Sequence, residues 1–271
     1  MADDRLHIAL IHDVFFGDGA IERLDALLGE AKAGGAELAA LPELPFDPWI
    51  PGTRDVRGED AEEPGGPRHR ELCGAARRAG LGVLGGAIVA DNGMRRHRAL
   101  LADVDGEIVS HYDKLHIPCE TGFWERDHYE PGVALTPPYE GFGLKLGLQL
   151  CSDMQRPQTV TALAAMGAEV LLAPRATPAG SHERWRTVLR AAAIAGACYV
   201  VSINRPRAER GVEIGSPSLV IAPDGEVLVE TVEALTLATL DRETVVAARK
   251  DYPGYLDVRA NLYGKTWSSL S

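Results

Sequence analysis

The pattern of elements in this 271-residue chain predicts an α/β fold, a four-layer α-β-β-α sandwich with two mixed sheets. Three observations lead there. Strand–helix–strand units with short links imply parallel strand pairs. Asp-Gly turns at Asp105-Gly106 and Asp224-Gly225 imply antiparallel hairpins beside them. Two early and two late amphipathic helices, the short final helix aside, can cover only one face of each of two sheets, so the remaining faces must bury each other. No stretch reads as a linker, so residues 1–271 are taken as a single domain. The two hairpins also hint at a two-fold internal organisation.

In order, residues 6–11 form a short apolar strand. Residues 20–33 place Ile21, Leu24, Leu27 and Leu28 at helical spacing, and Gly34-Gly35 ends that helix. Residues 37–41 form a strand that ends in Pro42-Glu43. Residues 45–67 are rich in proline, glycine and acids, and so long a loop in a compact domain is usually functional. A helix at 68–79 and a strand at 82–89 follow, then a hairpin of strands at 98–104 and 107–112. Residues 113–138 make a second long loop, dense in polar and aromatic groups.

A leucine-rich run from 143 stops at Cys151. There Ser152, Asp153 and Pro157 open a helical pattern to about Gly167, and 170–173 is the next strand. Ser181 is placed to cap a helix ending near Gly196. Strands follow at 198–203, 218–221, 226–230 and 235–240, and Asp241 caps a helix to Lys250. The tail, about 251–271, is expected to pack on a neighbouring surface or subunit.

A formal net charge of −11 argues against nucleic acid or an anionic membrane as a partner, since both need clustered positive charge. No apolar run is long enough to span a bilayer. The acidic start runs directly into a strand, which suggests no secretory signal and a cytoplasmic protein. Cys73, Cys119, Cys151 and Cys198 show neither disulfide pairing nor metal-ligand spacing, and the histidines never fall in ligand spacing, so free thiols, no metal and no cofactor are expected.

The chemistry gathers at strand ends. Glu43, Lys114 and Cys151 each stand just past an apolar strand, where α/β sheets bind their ligands. A carboxylate, an ammonium and a thiol make a base, an electrostatic clamp and a nucleophile. A thiol on a strand–turn–helix junction sits beside free helix N–H groups, and the helix dipole favours its thiolate. Taken singly, each has a bland reading as a buried structural cysteine, a capping acid or a solvated lysine.

Together, in order, they resemble the nitrilase superfamily of carbon–nitrogen hydrolases. The resemblance is carried by Leu41-Pro42-Glu43-Leu44 and by Tyr112-Asp113-Lys114-Leu115-His116-Ile117-Pro118. Gly122-Phe123-Trp124-Glu125 through Pro131-Gly132 and Leu150-Cys151-Ser152-Asp153 through Pro157 complete it. The run 166–174 and the tail around Leu262-Tyr263-Gly264 also match, so nearly the whole chain is covered.

The resemblance implies the four-layer, nitrilase-like fold and cysteine-dependent hydrolysis of a small linear amide, through a thioester, with release of ammonia or an amine. It makes Cys151 the nucleophile and Glu43 the base, with burial raising its pKa. Lys114 and the Ser152 backbone N–H would hold the oxyanion. Glu125 would orient Lys114 and the substrate amide, with Glu120 its rival in the same loop. Members pair through the nucleophile-side helices, so a homodimer or larger homo-oligomer is expected.

Ser152-Asp153 replaces the Trp-Glu usual in nitrilases of this superfamily, which points to amides or ureido groups. Met154 and Gln155 stand where D-carbamoylases carry an arginine pair, leaving Arg156 and Arg175 as candidate anion contacts. Phe46, Trp49, Phe123 and Trp124, with Asp153 and Arg175, are expected to wall the pocket. Trp185 and Tyr199 are assigned to an oligomer face or the core, Cys73 and Cys198 to the core. Cys119 is taken as incidental, and His116 as an ordering residue. An N-carbamoyl hydrolase, a nitrilase, a catalytically idle binding protein and a redox sensor remain open alternatives.

Overall fold

The computed structural model describes residues 4–270. The first half builds β1 (Arg5–Ile11), α1 (Ala20–Ala33), β2 (Leu38–Ala40), α2 (Pro67–Ala79), β3 (Gly82–Asp91), β4 (Met94–Ala102) and β5 (Ile108–Asp113). A short helix, α3 (Glu125–His128), lies in the connection. The second half builds β6 (Tyr139–Gly141), β7 (Leu144–Leu148), α4 (Pro157–Ala165), β8 (Val170–Leu172), α5 (His182–Gly196), β9 (Tyr199–Ser202), β10 (Ser218–Ile221) and β11 (Val227–Thr231). The chain then adds β12 (Leu235–Asp241), α6 (Arg242–Lys250) and α7 (Ala260–Ser268).

The strands form two six-stranded sheets, ordered β12-β1-β2-β3-β4-β5 and β11-β10-β9-β8-β7-β6. In the first, β1, β2 and β3 are parallel and the rest antiparallel. In the second, β7, β8 and β9 are parallel and the rest antiparallel. The two halves thus repeat one plan, with both Asp-Gly hairpins at equivalent places.

Side-chain alternation makes the layers. Leu6, Ile8 and Leu10 of β1 face Leu146, Leu148, Val170 and Leu172 across the inter-sheet core. Ala9 and Ile11 point the other way, onto Leu24 and Leu28 of α1. Likewise Leu171 of β8 turns outward onto Leu163 of α4 and Leu189 of α5. Helix, sheet, sheet and helix therefore stack as the patterning requires.

Several expectations change. The helix after Cys151 is broken in two. Cys151–Gln155 is a 3-10 turn, Arg156 is extended, and α4 begins only at Pro157. Proline has no N–H and its ring meets the carbonyl four residues back, so it starts a helix well and cannot sit inside one. β4 starts at Met94 because Asn92 and Gly93 make a tight left-handed turn that prolongs the hairpin. The short elements β6 and α3 carry no periodicity long enough to read. Ser181 leaves its helix uncapped by a side chain; its hydroxyl donates to Pro178 O instead. Asp241 does cap α6, accepting from Glu243 N. Cys73 is half-buried rather than core, while Cys198 and Tyr199 are buried. Helix α7 has no buried residue and exposes Leu262, Tyr263 and Trp267. No helix among the described residues is long and apolar enough to cross a membrane.

Leu172 is fully buried in the inter-sheet core. Leu172→Ala is expected to lower the unfolding free energy by about 2–5 kcal/mol in chemical denaturation.

Candidate active site

Three strand ends converge. Glu43 follows β2, Lys114 follows β5 and Cys151 follows β7. Leu44, next to Glu43, has φ 47° and Cys151 has φ 43°, both in the left-handed region. For residues with a Cβ this costs on the order of 1–3 kcal/mol each, so the surroundings must hold it.

At Cys151 they do. The Cys151 N–H donates to Pro174 O at 2.9 Å, and the Ser152 hydroxyl donates to His116 O. The buried Asp153 carboxylate accepts from Tyr112 OH at 2.8 Å, His116 N at 2.9 Å and Leu150 N at 3.3 Å, and lies 2.7 Å from His116 Nδ1. One carboxylate thus ties the lysine strand to the cysteine turn, and His116 helps order the turn.

At Glu43 the clamp is Arg205, which sequence reasoning missed. Fully buried, it donates to Glu43 O at 2.7 Å, Leu44 O at 2.6 Å and Asp47 O at 2.8 Å, and pairs with Glu209 at 2.7 Å. Nothing local in the sequence around residue 205 marks it as tied to residue 43.

Between these two turns lies a buried ionic cluster. Lys114 Nζ is 2.6 Å from Glu43 Oε1 and 2.5 Å from Glu125 Oε2. Tyr129 OH also donates to Glu125 Oε2, and His97 Nδ1 lies 3.3 Å from Glu43 Oε1. Each carboxylate keeps one buried oxygen, Glu43 Oε2 and Glu125 Oε1, without a partner among the described residues. Glu120, by contrast, is exposed and, among the described residues, pairs through its backbone alone, with Phe123.

The electrostatics follow from burial. Burial pushes the Glu125 carboxyl up to about 7; Lys114 opposes this and Glu43 adds to it. Burial works against charge on Lys114, yet Glu125 and Glu43 outweigh it and hold the ammonium above the ordinary lysine range. Burial and then Glu43 push the Cys151 thiol up, and Lys114 offsets only part of this. The thiolate expected from a helix dipole is therefore not favoured: α4 starts too far on, and burial favours the thiol. Glu43, His97 and Glu125 offer atoms within 4.8 Å of one another, a geometry that could hold a metal ion. The Lys114 ammonium already takes the cation's place between the two carboxylates.

A cleft of about 280 Å³ opens onto Cys151, Ser152 and Glu125. Its other walls include Phe123, Gln155, Thr177, Trp185, Glu120 and Arg184. Of the aromatics expected there, only Phe123 lines it. Phe46 packs against the α1–α2 layer. Trp49 is fully buried and donates its indole N–H to Gly122 O at 2.8 Å. Trp124 stacks under the Arg54 guanidinium at 3.7 Å. These rings pin the loops down because burying a flat apolar face there is worth more than leaving it in solvent. Asp153 is an internal tie, not a wall.

Arg175 is likewise no anion contact. Fully buried, its guanidinium is spent on Ser202, Thr177, Ser216 and Pro217 O, and burial pushes it down to about 10. Arg156 is exposed and is not a wall of the cleft. Trp185 and Arg184 were missed as walls. The available signal was a tryptophan in the first turn of a helix directly after a strand-end loop.

Residues 18–250 match the family described as carbon–nitrogen hydrolase. A deaminated glutathione amidase of Homo sapiens is 32% identical over 261 residues, covering 90% of this chain and 79% of that one. A carbon–nitrogen hydrolase from Helicobacter pylori G27 has the same fold, with a TM-score of 0.87 at 23% identity over 98% of this chain and 99% of that chain. A mutant of the amidase from Nesterenkonia sp. AN1 was solved with the acetamide moiety of fluoroacetamide covalently added at its active site cysteine. It matches with a TM-score of 0.79 at 25% identity over 97% of each chain.

His12, buried and hydrogen-bonded to Ser218 at 2.8 Å, is pushed down to about 4 by burial and then by Arg175, with Asp13 opposing. Unfolded, it titrates near 6.5. As pH falls through that window the unfolded chain binds the proton first, so stability is lost. The melting temperature is expected to fall between pH 7 and pH 5, and less steeply in His12→Asn.

Proposed function

The chain belongs to the carbon–nitrogen hydrolase family, and from that premise we propose that it hydrolyses the C–N bond of a small linear amide through a thioester on Cys151. The observation that carries the reading is the Lys114 ammonium, 2.6 Å from one buried carboxylate and 2.5 Å from another, beside a buried thiol on a left-handed residue.

In the first step the Cys151 sulfur attacks the amide carbon while Glu43 Oε2 takes the thiol proton. Lys114 has two of its three N–H bonds committed to carboxylates. The third, with the Ser152 backbone N–H, meets the oxyanion of the tetrahedral intermediate. A preorganised donor of this kind contributes roughly 3–4 kcal/mol. As the C–N bond breaks, Glu43 returns its proton to the nitrogen, and ammonia or an amine leaves. Water then attacks the thioester, giving its proton to Glu43. Collapse releases the acid, and the sulfur leaves as a thiol with that proton. Glu125 holds Lys114 in place, and its Oε1, without a partner among the described residues, is the atom left to hold the amide nitrogen.

The cleft's volume of about 280 Å³ suits a small acyl part, and Phe123 and Trp185 offer it flat apolar walls. The amidase names of the relatives, and the cysteine adduct in the Nesterenkonia amidase, support amides over nitriles. The exposed apolar side chains of the tail, Tyr252, Leu262, Tyr263 and Trp267, support packing on a second copy of the chain.

Ammonia release from a panel of simple amides, ureido acids and nitriles tests the reading. Cys151→Ala is expected to abolish release with an unchanged melting curve; activity near that of the parent would remove Cys151 from its role. Cys119→Ala, at an exposed site, is expected to leave activity unchanged. Glu43→Gln is expected to lose the acyl-enzyme burst together with turnover. A folded protein silent on the whole panel would support a binding role instead.

A further inference from the structure

One buried histidine beside the ionic cluster has no role in the steps above. His97 lies on β4, fully buried, with its ring edge-on to Tyr129 at 5.3 Å between centroids. Its carbonyl accepts the Lys114 N–H at 2.9 Å. Neither ring nitrogen has a hydrogen-bond partner among the described residues, yet Nδ1 lies 3.3 Å from Glu43 Oε1. Buried imidazole nitrogens are usually paired, so an unpaired pair beside an ion cluster needs a reason.

The surroundings select one form of the ring. Glu43, Lys114, Glu125, Arg205 and the Tyr129 hydroxyl are the titratable and charged groups around it. Burial first, then Lys114 and Arg205, keep the imidazole neutral. Of the two neutral tautomers, one places an Nδ1–H toward the carboxylate and leaves Nε2 a bare lone pair. The other sets a lone pair against the carboxylate and leaves a buried Nε2–H without a partner among the described residues. An orphaned buried donor costs more than an orphaned acceptor, and the second form also repels Glu43, so the first is favoured. At 3.3 Å the contact is a near approach and not yet a hydrogen bond, and contacts of this kind tighten when substrate binds.

We propose that His97 is a positioning residue for the base: with Lys114 it anchors Oε1 of Glu43, so that Oε2 is the oxygen left to take the thiol proton. The proposal rests on the reading of Glu43 as the base. The imidazole stabilises the charged carboxylate and stops its rotation. It also ties base and clamp together, since its ring faces one and its carbonyl holds the other.

The test compares His97→Phe, His97→Asn and His97→Gln in a Cys119→Ala background. Asparagine can place an N–H near the Nδ1 position, glutamine one near Nε2, and phenylalanine keeps the ring against Tyr129 with neither. Two readouts are taken across pH: kcat and KM on an amide, and the rate of Cys151 alkylation by iodoacetamide, which needs no turnover. His97→Phe and His97→Gln are expected to lower kcat about tenfold to a hundredfold with KM little changed. Their acid limbs should move to higher pH in both readouts, because a carboxylate that loses a donor protonates more easily. His97→Asn should stay near the parent. A parental acid limb and rate in His97→Phe, or an equal loss in His97→Asn and His97→Gln, would overturn the proposal. If Glu43→Gln alkylates with the parental profile, the reading of Glu43 as the base fails instead. If His97→Phe does not fold, the asparagine and glutamine pair still decides.

Discussion

A single ammonium in a dry place organises this molecule. Lys114 is fully buried, and a charge in that position is tolerated only because carboxylates touch it on two sides. Those carboxylates are held in turn. Glu125 is fixed by Tyr129, and the Glu43 turn is fixed by Arg205, itself buried and paired with Glu209. Each ion is costly alone, so the cluster stands or falls as a unit. Its members come from the ends of β2, β5 and β9 and from α3, so the two sheets must meet in one register for the cluster to form.

The cluster also sets the state of the thiol. Burial and Glu43 hold Cys151 protonated, against the partial pull of Lys114. A thiol held in its protonated form is less open to adventitious oxidation than a standing thiolate. The backbone is strained at the two turns beside this cluster, at Leu44 and at Cys151. The hydrogen bonds of Asp153 and Arg205 stabilise those turns from behind.

The cleft is built by a different logic from its floor. The ionic cluster is rigid and enclosed, whereas the walls come from the α3 loop, the 3-10 turn after Cys151 and the start of α5. Aromatic residues in the same loops divide between two tasks. Phe123 faces the cleft, and Trp49 and Trp124 lock the loops to the body through an indole hydrogen bond and a stacked guanidinium.

Period and punctuation in the chain were enough for the layers. Alternation along β1 and β8, helical spacing at Leu24 and Leu28, and the Asp-Gly turns act over a few residues, and such local forces are visible in a linear string. Glu43, Lys114 and Cys151 stood out as candidates for a related reason, since each stands just past a strand, whereas Glu125 was a candidate only through the family resemblance. The sequence could not show which aromatics face the cleft, nor that Arg175 is spent inside. Nor could it show that Arg205 and His97 attend a carboxylate distant from them in the chain. Those depend on long-range contacts, where burial makes a polar group seek whichever partner the packing brings within reach. Even the helix after Cys151 was decided this way. The sequence read Ser152, Asp153 and Pro157 as opening one helix, but Pro157 starts α4 by itself and the Cys151 and Asp153 contacts hold the preceding turn as a separate element.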